Sequence, residues 1–98
     1  MNKTKLRTLI CSEFYKYIET NFKEYTLDFS DIDVYIYPTF TVKLADDSIQ
    51  FRRSCFQLYE MNCALPKVQE DVITMQSYLN QLIKMLETKH NLSLGLQN

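Results

Sequence analysis

Side chains able to do chemistry are few in this chain. The thiols are Cys11, Cys55 and Cys63, the only imidazole is His90, and one acidic cluster, DFSDID, offers Asp28, Asp31 and Asp33. A nucleophilic cysteine needs a base within hydrogen-bond reach and a lowered pKa, so Cys55 or Cys63 with His90 is the one enzymatic pairing on offer. No local signature supports it. Cys55 and Cys63 are eight residues apart, which is not a zinc-ribbon spacing, and Cys11 is remote in sequence. A calcium loop needs alternating acids, a central glycine and a distal glutamate, and DFSDID lacks that pattern. Core thiols, a solvated acidic loop, and no metal or cofactor are the expectation.

Glycine chemistry is missing too. Gly95 is the only glycine. Phosphate-cradling loops, dinucleotide fingerprints and glycine-flanked nucleophile elbows are therefore excluded. The composition favours binding over catalysis.

What remains is a surface. Along DVYIYPTFTVKLADDSIQF, residues 33 to 51, apolar and polar side chains alternate. Val34, Ile36, Phe40, Val42 and Leu44 share the parity of a core face. Tyr35, Tyr37, Thr39, Thr41 and Lys43 occupy the other. Beside them a neighbouring strand would bring Arg52, Ser54, Phe56 and Leu58. Aromatic and arginine side chains are enriched where proteins bind one another. The expected partner-binding set is thus Tyr35, Tyr37, Thr39, Lys43, Arg52, Arg53 and Phe56. Aromatics and cations also stack and hold single strands. A nucleic-acid site would combine Lys3, Lys5 and Arg7 with Arg52 and Arg53.

Three kinds of element must position these residues. Leu6, Leu9, Ile10, Phe14, Tyr17, Ile18 and Phe22 recur at helical spacing and predict a helix over residues 4–24, capped by Asn2 or Thr4. Basic residues in its first turns oppose the helix dipole. Residues 25–33 read as a polar connector. Pro38 fits an edge, a bulge or a break between strands. Asp46 and Asp47 supply a turn, and a returning strand runs from about Ser48 to Tyr59. Its alternation changes phase, which a bulge near Arg52 and Arg53 would absorb; two separate strands are the alternative. Val68, Val72, Met75, Leu79, Leu82 and Leu86 form a heptad seam on a helix over 66–89, with Pro66 in its first turn. That seam could be intrachain core or a homodimer contact.

The fold expected for residues 1–98 is a single α+β domain in two layers. An N-terminal helix, an antiparallel sheet of two long or three shorter strands, and a long C-terminal helix follow in order, with residues 90–98 as a tail that frays or packs loosely. The expected core is Leu6, Ile10, Phe14, Ile18, Val34, Ile36, Phe40, Val42, Leu44, Phe51, Val72, Leu79, Leu82 and Leu86. With three strands the order would be that of double-stranded-RNA-binding domains. Their lysine-rich last-helix start is PKVQED here, with Lys67 followed by Glu70 and Asp71, and their Gly-Pro loop is absent. The likeness stops at element order.

Charge and composition bound the rest. With 98 residues and 46% hydrophobic side chains the chain supports one core. The net charge of −1 gives no global attraction to nucleic acid or anionic membrane. Locally the balance is uneven, with a basic first helix followed by an acidic stretch over residues 24–47. Free thiols and the lack of a leader or membrane span suggest a cytoplasmic protein. The function expected is a non-enzymatic protein-binding module. It would be a small regulator or inhibitor of a larger protein or complex, of the kind phages and mobile elements encode. An RNA- or DNA-binding module and a cysteine-dependent enzyme are the alternatives.

Overall fold

A computed structural model describes residues 1–28, 39–52 and 57–95. The order is α1 (Lys3–Asn21), β1 (Thr26–Asp28), β2 (Thr39–Leu44), β3 (Asp47–Arg52), β4 (Gln57–Met61) and α2 (Pro66–His90). The strands make one antiparallel meander in the order β1-β2-β3-β4. This is the expected α+β plan with four described strands rather than two or three, so the element order departs from α-β-β-β-α. Among the described residues no helix is long and apolar enough to cross a membrane.

Helix α1 starts where the Asn2 side chain accepts the Lys5 N–H at 2.8 Å, which satisfies one orphan donor of the first turn. Leu6, Ile10, Phe14 and Ile18 are buried along one stripe. On α2, all six seam residues are buried, together with Ile83. They pack within the chain, which uses up the seam that a homodimer through this helix would need. Phe14 meets Phe51 edge-to-face with centroids 4.8 Å apart, placing the helices on the Val42–Ile49–Phe51 face. Tyr17 stacks on Tyr78 at 3.6 Å and 7° between the two helices.

Of the remaining expected core, Val34 and Ile36 lie outside the described residues, and only the backbone of Phe40 is described. Leu44 is half-buried against the core. Ile49, Val68 and Met75 are each fully buried and extend that core. Asn91, at φ 51°, closes α2 in the left-handed region, and the Leu92 N–H donates to the Glu87 carbonyl at 3.0 Å. Leu94 is then buried, its N–H donating to Glu87 Oε2 at 2.7 Å. Residues 91–95 are packed because a leucine at each second position can return to the helix pair; residues 96–98 lie outside the description.

The phase change in the returning strand follows the two-strand alternative and not the bulge. β3 ends at Arg52, and Gln57 pairs back onto it. The chain reverses between them, so Leu58 faces the core opposite Phe51 and not the polar side. The short β1 also occupies part of what reads as a connector, pairing Leu27 with Val42.

The turn reading of Asp46 and Asp47 shifts by one residue. Leu44 pairs with Asp47, leaving Ala45 and Asp46 as the loop, with Ala45 at φ 55°. Asp47 is buried at 4% exposure, and its carboxylate accepts the Leu65 N–H at 2.6 Å where the chain enters α2. A hydrogen bond to a charged acceptor contributes about 1.5–3 kcal/mol. Asp47→Ala should therefore lower unfolding free energy by about 2 kcal/mol in urea titrations, with Asp47→Asn losing less. An unchanged midpoint would contradict this role.

A second joint ties the end of α1 to the start of α2. The Tyr25 hydroxyl donates to Asp71 Oδ2 at 2.6 Å, and Lys67 Nζ reaches Asp71 at 3.1 Å and Glu24 at 2.9 Å. The Lys67 hydrogen bond holds the Glu24 carboxyl below its usual range. Burial, then the hydrogen bond to Asp71, pushes the Tyr25 phenol far above its ordinary value. The unfolded chain thus releases this proton before the folded one does. Stability from Tyr25 is complete below about pH 10 and is lost as pH rises beyond it. Alkaline denaturation monitored by circular dichroism should show that loss, and Tyr25→Phe should flatten it. A profile identical in both proteins would exclude the linkage.

Candidate functional site

The expected partner surface is described only in part. Tyr35, Tyr37, Arg53 and Phe56 lie outside the described residues. Thr39 and Arg52 are a cross-strand pair joining β2 to β3. By the two-residue period, Thr41 and Lys43 occupy the face away from the helices. Thr41 is buried there at 5% exposure, whereas Lys43 is half-exposed with Nζ 3.8 Å from Asp28. At that length and exposure the pair contributes little. The sheet brings Thr39, Lys43 and Arg52 into one ladder.

The basic residues of the nucleic-acid alternative are not brought together in this way. Lys3, Lys5 and Arg7 belong to the first turns of α1 in the helix layer, while Arg52 closes β3 in the sheet layer. Lys3 and Lys5 are exposed, and Arg7 is partly covered, its Nε buried without a hydrogen-bond partner. Arg53 is outside the description.

The cysteine alternative loses one of its two pairings. Cys63 lies just before α2 and His90 is its last residue, so the helix separates them by about 37 Å at 1.5 Å per residue over 25 residues. Burial, then the Glu60 and Asp47 carboxylates, pushes the Cys63 thiol up, away from the thiolate a nucleophile requires. Its Sγ donates to the Ser48 carbonyl at 3.0 Å. Cys55, Asp31 and Asp33 lie outside the described residues. Among the described residues no three His, Cys, Asp or Glu side chains form a group that could hold a metal ion.

Sequence reasoning passed over a groove between β4 and α2. It encloses about 540 Å³ and is lined by Leu58 and Glu60 from the strand and by Val72, Ile73, Gln76, Ser77 and Asn80 from the helix. Among the described residues β4 is the last strand of the sheet, and one of its edges has no strand partner there. The Leu58 N–H points outward from that edge and donates to Gln76 Oε1 at 3.0 Å. Gln76 Nε2 in turn donates to Asn80 Oδ1 at 3.0 Å, one helical turn on. Antiparallel pairing turns alternate residues outward, so Glu60 shares the outer edge with Leu58.

The apolar part of the groove is equally specific. Val72 is buried, Leu58 is half-buried, and Ile73 is 72% exposed. Ile73 falls outside the seam 68-72-75-79-82-86, and a large aliphatic residue off the core stripe is the one sequence signal that could have marked this wall. The rest had none, because Gln76, Ser77 and Asn80 look like an ordinary solvated helix face.

Gln76 occupies the place a neighbouring strand's carbonyl would take. Removing it should expose the Leu58 amide. Gln76→Ala is expected to reduce stability by about 1 kcal/mol and to accelerate hydrogen exchange at Leu58 selectively. Unchanged exchange at Leu58 would show that the edge is not guarded this way. No protein-family model, curated protein sequence or solved structure matches this chain.

Proposed function

We propose that the chain is a non-enzymatic protein-binding module, a small regulator or inhibitor that engages a larger protein through the outer edge of β4 and the groove beside it. One observation carries this reading: among the described residues the sheet ends on a strand whose outward N–H is held by a helix side chain rather than by another strand. An edge of unpaired main-chain groups is a template for another polypeptide, and proteins either cover it or use it. Here a helix stands beside the edge without closing it, and an exposed isoleucine lines the gap. Nucleic acid offers no main chain to complete a sheet, and the scattered basic residues of α1 and β3 give that reading less support.

Ile73→Arg tests the reading, since the residue is too exposed to matter to folding and stands at the mouth of the groove. The folded wild-type protein should capture a nuclease-resistant protein partner from a native lysate of its source cells, and Ile73→Arg should reduce that capture at least about tenfold. Capture that disappears with nuclease would move the reading to nucleic acid. Equal capture by both proteins would remove the groove as the site.

A further inference from the structure

The chemistry of the groove says more about what it accepts, given the reading of the chain as a protein-binding module. We infer that its ligand is an extended, basic segment of the partner protein, laid along β4 as a fifth strand. One apolar side chain seats among Leu58, Val72 and Ile73, and a Lys or Arg meets Glu60.

Three observations converge on this ligand. First, the outward groups of Leu58 and Glu60 are main-chain groups at strand spacing, about 7 Å apart along β4, and only an extended backbone matches that repeat. A helix has its N–H and C=O groups already paired and would leave the edge unsatisfied. Second, the space beside the edge has an apolar wall from both elements, with Leu58 on the strand and Val72 and Ile73 on the helix. Alternate side chains of an added strand point toward that wall. Third, among the described residues the lining carries one carboxylate, Glu60, and no cation, and Glu60 makes no ion pair. The same carboxylate, with Asp47, raises the neighbouring Cys63 thiol, so the negative field extends along this end of β4.

The charge also argues against a second copy as the occupant. Two β4 edges paired antiparallel would place two Glu60 carboxylates on one short edge with no cation in the lining to neutralise them. A basic segment instead completes an opposite-charge cross-strand pair, while exchanging the Gln76 amide for a main-chain carbonyl.

The test uses the full chain, isotope-labelled for amide spectra, with three synthetic peptides at low salt. These are acetyl-KKVIVKK-amide, its acidic counterpart acetyl-EEVIVEE-amide, and the basic peptide N-methylated at isoleucine. The basic peptide should shift the amides of Leu58, Glu60 and Gln76 and bind at least about tenfold more tightly than the acidic one. N-methylation should weaken it by a similar factor through the lost main-chain donor. Glu60→Gln should level the charge preference and Glu60→Lys should reverse it; Glu60 is exposed, so both variants retain the fold.

Equal binding of basic and acidic peptides would overturn the charge assignment. Tolerance of N-methylation would overturn the strand geometry. Shifts of the same amides on concentrating the protein alone would make a second copy the occupant and overturn the inference. If no peptide shifts these amides while Ile73→Arg still abolishes capture of a partner, the extended-peptide inference fails and the protein-binding reading stands. If that capture is also indifferent to Ile73→Arg, both fail.

Discussion

The position of α2 over the sheet is the constraint from which the rest of the molecule follows, and the Asp47 carboxylate holds its start. It reaches from the first residue of β3 to the Leu65 N–H, immediately before the helix. Tyr25 and Lys67 grip Asp71 one turn into the helix. One of these contacts comes from the start of β3 and the other from Tyr25, between α1 and β1, so together they fix where α2 begins along the sheet and in which direction it leaves. The distance between α2 and β4, and hence the groove, is set at that point.

Magnitudes separate the contributions. Each buried Leu, Ile, Val or Phe of the core contributes roughly 1.5–3 kcal/mol, and both helices bury a full stripe of them. A net hydrogen bond contributes about 1 kcal/mol. The apolar stripes therefore decide that two helices lie on one face of a sheet. They do not decide the longitudinal setting of one helix against a strand, because apolar contact is non-directional. Directional groups at Asp47, Tyr25 and Gln76 choose among the settings that the core alone would tolerate.

This division explains what could be read from the sequence. Helix periodicity reported the burial of Leu6, Ile10, Phe14 and Ile18 and of the whole α2 seam, since burial along a helix needs only spacing. The alternation around Val42 and Phe51 reported the core face of the sheet. A bulge at Arg52 and Arg53 and a pair of separate strands both shift the parity of the apolar positions, so the sequence left the two open, and the pairing of Gln57 with Arg52 selects the second. The usual glycine punctuation is also absent, and Ala45 takes the left-handed position in the first hairpin that glycine would have marked. Apart from Ile73 off the core stripe, the groove left no mark in the sequence. It arises from two elements meeting, and neither Leu58 with Glu60 nor Gln76 with Asn80 forms a pattern within its own element.

An unclosed edge next to a helix creates two opposing demands. Left bare, the outward amides of β4 would template aggregation with any extended chain. Closed by another strand of the same chain, they would bind nothing. Gln76 meets both demands because its bond to Leu58 is a single side-chain contact on a half-buried edge, worth about 1 kcal/mol. That suffices to satisfy the donor in the free protein. An incoming strand forms several main-chain bonds and buries Ile73 as well, so it can displace one amide at a net gain. Discrimination must then come from what surrounds the edge. In the proposed complex Glu60 would provide it on the strand and the Leu58–Val72–Ile73 wall on the groove side, so the residues beside the edge would restrict what can close it.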